Sequence, residues 1–261
     1  MKIQGRTFIV SGGASGLGKG CCIEIVAQGG HVAVLDQNEE NGLEFVAEIG
    51  AGAKFFECDV LSSDSVAKAV EGASAWAKQT GKPVAGAICA AGVSLPAAIL
   101  DRNGNPFDLG DFEFVMGVNV RGTIDLARQT CAEIVKNSPF PASEDRGIII
   151  MVASSAAFDG QNGQVSYSAS KGAITALTLP LARDVGRHGI RAVTIAPSLF
   201  ETRMTSVMSD KVRQSLEKTF VFPKRAGRPD EFAATARHCI ENEMLNGTVI
   251  RLDGATRMTK M

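Results

Sequence analysis

Short runs of β-branched and apolar residues recur along this chain with helix-length segments between them. That alternation constrains the fold more than any other feature. Thr7–Ser11, His31–Asp36, Ala53–Cys58, Val84–Cys89, Gly147–Val152, Arg191–Ala196 and Thr248–Leu252 read as strands. Helical spacing of apolar residues covers about Gly16–Gln28, Glu39–Ile49, Ser63–Lys78, Asp111–Lys136, Val165–Arg187 and Asp230–Glu241. Gly29-Gly30 stops the first of these, and Pro229 suits the start of the last. Strands alternating with crossover helices give βαβ units and a parallel sheet covered on both faces. The expected architecture is one α/β domain over residues 1–261, a seven-stranded parallel sheet with helices on both faces.

Three segments are long for loops: Val93–Gly110, Asn137–Arg146 and Ser198–Arg228. The first and third follow strands at their carboxyl ends, where open α/β sheets bind ligands.

Charge excludes several classes of partner. The chain has 27 basic and 28 acidic residues, a formal net charge of −1, so no strong field favours nucleic acid or an anionic membrane. The apolar runs are strand-sized, too short to cross a bilayer as a helix. Met1–Gly5 runs straight into a strand without the pattern of a secretion leader, which makes the cytoplasm the expected compartment. Six cysteines form no CxxC pair and three histidines are scattered, so no metal site is expected. The cysteines read as small buried hydrophobes in a reducing compartment.

The first strand runs into Ser11-Gly12-Gly13-Ala14-Ser15-Gly16-Leu17-Gly18. A glycine-rich turn between strand and helix lets backbone N–H groups approach a pyrophosphate, which the helix N-terminus also attracts. The spacing is GxxxGxG rather than GxGxxG, so the dinucleotide fingerprint is only partly met, and a turn without a ligand fits as well. Asp36 ends the second strand, 18 residues after Gly18. A carboxylate there accepts hydrogen bonds from a ribose 2′-hydroxyl and repels a 2′-phosphate. Neither Ser15 nor Gln37 supplies a cation for that phosphate, which favours NAD over NADP. Asp59-Val60 closes the third strand, near enough to meet an adenine edge; a solvated turn is the alternative. The small residues of Cys89-Ala90-Ala91-Gly92 either let a flat ligand pass or serve close packing.

Tyr167 is the single tyrosine of the chain and lies one helical turn before Lys171, on the same face. A free phenol has a pKa of about 10 and is a poor acid or base near neutrality. A nearby ammonium stabilises the phenolate, which suits general acid–base work. Ser154, 13 residues upstream and just past an apolar strand, can hydrogen-bond a substrate oxygen that gains charge, with Ser155 as the competing choice. Asn119 falls inside a helical segment, where asparagine is a poor former, and this suggests a local kink or a bound water. A surface Tyr-xxx-Lys pair is common; the order GxxxGxG, Asp, Asn, Ser, Tyr-xxx-Lys on successive βα units is far more specific.

With these motifs in place the chain resembles the short-chain dehydrogenase/reductases over essentially its whole length. Gly12, Gly16 and Gly18 are similar to that family's TGxxxGxG, with Ser11 for Thr. Asp59 matches its adenine-contacting Asp. Cys89-Ala90-Ala91-Gly92 stands where the family has NNAG. Asn119, Ser154, Tyr167 and Lys171 match its catalytic tetrad. Ala196-Pro197-Ser198 resembles its Pro-Gly motif with Ser198 for Gly, and Thr202 aligns with the Thr that contacts the nicotinamide carboxamide.

The resemblance implies a Rossmann fold and an NAD-linked interconversion of a secondary alcohol and a ketone. Several stretches, Leu245–Met258 among them, resemble a branch acting on 3-hydroxyacyl-CoA esters and hydroxysteroids. By that likeness Ser15, Leu17, Asp36, Asp59, Val60, Ala90, Tyr167, Lys171 and Phe200 contact NAD, together with Gly12, Gly16, Gly18, Gly92, Pro197 and Thr202, and Gln161 contacts substrate. It also implies a homotetramer, with Thr248–Met258 and the long helices in contacts.

The mechanism expected has Tyr167 take the hydroxyl proton while Ser154 holds the substrate oxygen. Lys171 lowers the Tyr167 pKa and binds the nicotinamide ribose, and Asn119 holds a water that links Lys171 to solvent. Ser198–Arg228 carries Leu199, Phe200, Met204, Val207, Met208, Phe220, Val221 and Phe222, and reads as a mobile apolar lid suited to an acyl chain or fused-ring steroid, with a helix packed permanently on the core as the alternative. Arg203, Lys211, Arg213, Lys218, Lys224, Arg225 and Arg228 either meet the phosphates of coenzyme A or form a solvated face. Two alternatives stand beside this reading. One is a 3-oxoacyl-carrier-protein reductase or polyol dehydrogenase; the other is an NAD-sensing scaffold with vestigial catalysis.

Overall fold

The computed structural model describes residues 1–140, 144–206 and 208–257. The side chains of Arg203, Met204 and Asp210 lie outside the description, as do all of Val207 and Met258. Among the described residues seven strands form: β1 (Thr7–Ser11), β2 (His31–Asp36), β3 (Ala53–Glu57), β4 (Val84–Cys89), β5 (Gly147–Val152), β6 (Ile190–Pro197) and β7 (Val249–Leu252). All pair in parallel, in the order β3-β2-β1-β4-β5-β6-β7. The chain builds outward from β1 to β3, returns to lay β4 against β1, and builds outward again to β7. The direction of winding therefore reverses between β1 and β4. The carboxyl ends of those strands, where Ser11 sits opposite Cys89, are the switch point at which open α/β sheets form a ligand crevice.

Every residue of β1, β4, β5 and β6 is buried, as befits parallel strands covered on both faces. Side chains alternate between two apolar layers with the strand period of two. Phe8 and Val10, with Ile148 and Ile150, face one layer. There they meet Cys22 and Ile25 of α1 (Gly16–Ala27), Phe45 of α2 (Glu39–Ile49), and Phe232 and Ala236 of the helix at Pro229–Glu241. Ile9, Ile149 and Met151 face the other, against Val66 and Ala73 of α3 (Ser63–Gln79) and helices nearer the C-terminus. The cysteines are all unpaired, five of them buried.

The segment expected as one helix over Asp111–Lys136 is broken in two. α4 (Leu109–Met116) and α5 (Thr123–Ile134) are joined by a π-helical turn, Gly117–Gly122, centred on Asn119. The β3–α3 loop presses on both ends of that turn. A Cβ at Gly117 would lie 2.8 Å from Leu61 Cδ2, and one at Gly122 2.9 Å from Val60 Cβ. π turns of this kind widen a helix by one residue and re-aim its side chains.

A 3-10 turn, Ser155–Ala157, precedes α6 (Val165–Gly186). The Ser198–Arg228 segment, read as a loop, contains α7 (Arg203–Ser206) and α8 (Asp210–Glu217), the latter capped by Ser209. α9 (Pro229–Glu241) follows at once, with Pro229 in its first turn. Among the described residues no helix is long and apolar enough to cross a membrane.

Candidate active site

The first wall of the crevice is the β1–α1 turn, and its three spaced glycines have distinct geometric reasons. Gly12 has φ +64°, and a Cβ there would sit 2.9 Å from the Ala91 amide nitrogen. Gly16 has φ +51° and rests on Thr202, whose Cβ would be 3.2 Å from an added methyl. At Gly18 a Cβ would strike the Gly12 carbonyl at 2.3 Å. Ser15 precedes α1 in extended conformation without capping it, and the first turn carries no acidic residue. The positive end of α1 thus remains available to an anion. Leu17 is partly buried against the core.

Asp36 stands beside this turn. Its Oδ2 accepts from the Ala14 amide at 3.3 Å and its Oδ1 from the Asn38 amide at 3.2 Å. Asp59 is exposed at the end of β3, with Oδ1 accepting the Leu61 amide at 2.9 Å, and Val60 lies against Gly122. At the end of β4, Ala90 N–H donates to the Ser11 carbonyl at 3.2 Å and Ala91 N–H to Ser11 Oγ at 3.3 Å. The hydroxyl of Ser11 thus holds the turn.

The second wall carries the titratable groups. Lys171 is buried in α6 and donates through Nζ to the Val152 carbonyl at 2.8 Å. Burial lowers its pKa to about 8. Tyr167, half-buried, has the Ser154 hydroxyl beside it. Burial raises the phenol above its ordinary value, and the Ser154 hydroxyl only partly offsets this. The expectation that Lys171 lowers the Tyr167 pKa is not met in the protein by itself. Its Nζ is 5.8 Å from the ring centroid and is committed to the Val152 carbonyl. Ser154 Oγ also accepts the Ala156 amide at 3.1 Å, while the Ser155 hydroxyl is fully buried and has no hydrogen-bond partner.

Asn119, fully buried in the π turn, holds Val93. Its Oδ1 accepts the Val93 amide at 2.8 Å, and its Nδ2 donates to the Val93 carbonyl at 2.9 Å and to Ser170 Oγ at 3.0 Å. Ser170 in turn donates to the Tyr167 carbonyl at 2.7 Å. Sequence reading missed Ser170; its signal is a hydroxyl three residues after Tyr167 on the same helix. Gly92 fits between these groups, since a Cβ there would lie 3.3 Å from Asn119 Oδ1 and 3.5 Å from Lys171 Nζ. Asn119, Ser154, Tyr167, Lys171 and Gly92 are therefore one cluster.

The remaining predicted residues divide. Gln161 is buried, and its N–H donates to Gln164 Oε1 at 2.9 Å ahead of α6. Pro197 is buried at the end of β6, and Ser198 donates to the Leu252 carbonyl at 3.2 Å with an ordinary φ, so glycine is not required there. The Phe200 ring belongs to the core, edge-on to Phe232 at 6.2 Å. A pocket of about 520 Å³ lies between α1 and the 201–213 segment, lined by Gly16, Lys19, Thr202 and Arg213 among others. Three basic side chains of Ser198–Arg228 are already engaged: Arg213 by Glu217 and Glu201, Arg225 by Glu231, and Arg228 by Asp230. The side chain of Arg203 lies outside the described residues. Among those described, no group of three or more His, Cys, Asp or Glu could hold a metal ion.

A doubly wound parallel sheet, a glycine turn at its switch point and a Ser–Tyr–Lys–Asn cluster facing it define a nicotinamide-linked oxidoreductase acting on hydroxyl groups. The sequence matches the family described as short chain dehydrogenase over residues 6–213, and the chain belongs to that family. It is 40% identical over 257 residues to the 3-hydroxyacyl-CoA dehydrogenase type-2 of Bos taurus, covering 98% of this chain and 97% of that protein. The Homo sapiens protein of the same name is also 40% identical, with the same coverage. A crystal structure of 3-hydroxyacyl-CoA dehydrogenase type-2 from Mycobacterium avium superposes with a TM-score of 0.91 at 36% identity, covering 99% of each chain.

Proposed function

We propose that this protein is an NAD-linked dehydrogenase that interconverts the 3-hydroxyl and 3-keto forms of acyl-CoA esters or similarly apolar secondary alcohols such as hydroxysteroids. The observation that carries the reading is the clustering of Ser154, Tyr167 and Lys171, with Lys171 Nζ 5.8 Å from the Tyr167 ring centroid, beside the β1–β4 switch point. The likeness to the 3-hydroxyacyl-CoA dehydrogenases supports the substrate class.

The residues present fit a dinucleotide. Gly12, Gly16 and Gly18 keep the turn free of side chains that would fill it, and the uncapped N-terminus of α1 suits the pyrophosphate. Asp36 suits a ribose 2′-hydroxyl and disfavours a 2′-phosphate, and Lys19, nearest on α1, is paired with Glu48 at 3.0 Å. When bound, the nicotinamide supplies the hydride chemistry. Ser15, Leu17, Asp59, Val60, Ala90, Gly92, Pro197, Phe200 and Thr202 are proposed to line it.

Tyr167 takes the proton from the substrate hydroxyl. Ser154 donates to the oxygen and orients it. Lys171 places positive charge on the tyrosine face of α6 and is proposed to hold the nicotinamide ribose. The Asn119 carboxamide is taken up by Val93 and Ser170, so its part is to fix the loop after Gly92. Gln161 is proposed to meet the substrate.

Ser198–Arg228 is proposed as the lid. Its two ends are pinned together, Glu201 N–H donating to the Gly227 carbonyl at 2.8 Å and Gly227 N–H to the Leu199 carbonyl at 2.9 Å. Between them Leu199, Leu216, Phe220 and Ala226 form a small apolar cluster of their own, separate from the two layers on the sheet. Such a unit can move as a body. The assembly proposed is a homotetramer, supported by exposed apolar side chains on α4 and α5 such as Phe114 and Ile124. The reducing cytoplasm, which keeps thiols unpaired, is the proposed compartment.

The test is cofactor reduction by purified protein with NAD or NADP and a panel of 3-hydroxyacyl-CoA esters, hydroxysteroids and short secondary alcohols. Preferential NAD reduction with an acyl-CoA or steroid is expected. Preference for NADP with carrier-protein substrates would favour a biosynthetic reductase. Tight NADH binding without turnover of any alcohol would favour a nucleotide-sensing scaffold.

A further inference from the structure

Ser154 opens a tight turn that reaches a cation far away in sequence. The Ser154 carbonyl accepts the Ala157 amide at 3.0 Å, and the Ser155 carbonyl accepts the Asp159 amide at 2.9 Å. Asp159 is therefore fixed by its Ser155 bond to the turn that Ser154 opens. Its carboxylate pairs with Arg251 of β7, 92 residues away, and the Arg251 guanidinium lies 4.8 Å from the Phe158 ring centroid. Both partners are partly buried, so water screens the pair less than it would a fully exposed one.

Arg251 has a second set of partners. Its Nε bonds Asp253 Oδ2 at 2.7 Å and its Nη2 the Thr256 carbonyl at 3.3 Å. Asp253 organises the tight turn that follows, accepting the Ala255 amide at 3.1 Å, with Ala255 held at φ +60°. A non-glycine residue in that region persists only where its surroundings fix it. The Ser198–Arg228 segment is seated on this turn. Val221 N–H donates to the Gly254 carbonyl at 3.1 Å, Thr219 and Thr256 share a hydroxyl hydrogen bond, and Phe220 lies on Gly254 so closely that a Cβ there would be 2.6 Å from the ring.

We propose that Arg251 is a positioning residue that couples the turn holding Ser154 to the Ser198–Arg228 segment, through Asp159 on one side and the Asp253–Thr256 turn on the other. Seating of Thr219–Val221 and placement of the serine turn are then linked through the Arg251 guanidinium, while Arg257 also reaches Asp253 Oδ2 at 3.3 Å without contacting Asp159. The proposal rests on the dehydrogenase reading for its kinetic consequence but not for its structural one.

The test uses the full chain carrying Asp159→Asn, which removes one ion pair and keeps Arg251–Asp253, beside Asp159→Glu. Two readouts are taken: tryptic cleavage at Lys211, Lys218 and Lys224, which needs no substrate, and steady-state kinetics with NAD and the best alcohol of the panel. In Asp159→Asn, cleavage within 211–224 should accelerate roughly tenfold. Its kcat should fall roughly tenfold, with NADH affinity within about twofold of wild type. Asp159→Glu should restore both. Wild-type cleavage and kcat in Asp159→Asn would overturn the proposal, as would a matched loss of NADH binding and global stability without faster cleavage at those lysines. If the wild-type protein oxidises no alcohol, the dehydrogenase reading fails by itself and the cleavage readout decides the coupling.

Discussion

The Asn119 carboxamide grips both main-chain polar groups of Val93, accepting its amide at 2.8 Å and donating to its carbonyl at 2.9 Å. This clamp joins the π turn to the loop that leaves β4, and Ser170 extends it to the backbone of Tyr167. Asn119→Ala leaves the Val93 groups without these partners. Unfolding free energy should fall by about 1–3 kcal/mol in denaturant titration, and kcat should fall with it. Unchanged stability and unchanged kcat would show that the clamp is incidental.

Lys171 should reveal its burial through pH. Its folded pKa is lowered to about 8 from 10.5, so below pH 8 the buried ammonium costs the folded state free energy. As pH rises from about 8 toward 10.5, the unfolded chain still binds the proton and the folded one does not, so the cost is relieved. In paired denaturant titrations, wild type should therefore gain on Lys171→Met by up to about 1.4 kcal/mol per pH unit in that window. A difference independent of pH would contradict the lowered value.

Tyr167 should impose opposite pH dependences on the two directions of turnover. Burial raises its pKa in the protein without cofactor, so the deprotonated fraction near neutrality is small and grows with pH. Alcohol oxidation, read as kcat/KM, should rise from pH 7 to 9 by up to about tenfold per unit, and ketone reduction should not share that rise. Parallel flat profiles would remove the phenol from the proton path.

Asp36 should decide between the two dinucleotides. Asp36→Ala removes the acceptor for a ribose 2′-hydroxyl and the charge opposing a phosphate. The NAD-to-NADP ratio of kcat/KM should drop by roughly tenfold or more. An unaltered ratio would mean that the carboxylate serves only the Ala14 and Asn38 amides.

The inner strands were readable because parallel strands buried on both faces are written as apolar runs; the edge strands β3 and β7, only partly buried, still carry enough apolar residues to be read. The glycine turn was readable because Gly12 and Gly16 adopt backbone angles that side chains oppose. The kink at Asn119 was suggested by its poor fit to a helix, but the Val93 clamp was not, because its partner is main chain and carries no side-chain signature. α8 was missed because its amphipathic eight residues lie inside an otherwise irregular segment. In the protein without cofactor the Tyr167 shift runs opposite to the expected one, because spacing shows that two side chains share a face, not that burial outweighs a cation committed to the Val152 carbonyl. The Arg251–Asp159 pair joins positions 92 residues apart, which no local pattern records.

The account turns on the Tyr167 hydroxyl as the proton carrier, and Tyr167→Phe removes that oxygen while keeping the ring. Rapid-mixing measurement of NADH formation from NAD and a 3-hydroxyacyl-CoA ester, beside NADH binding by fluorescence, tests it most directly. The account predicts a loss of roughly hundredfold or more in the rate, with NADH affinity unchanged. A Tyr167→Phe protein that forms NADH within a few-fold of the wild-type rate would contradict it.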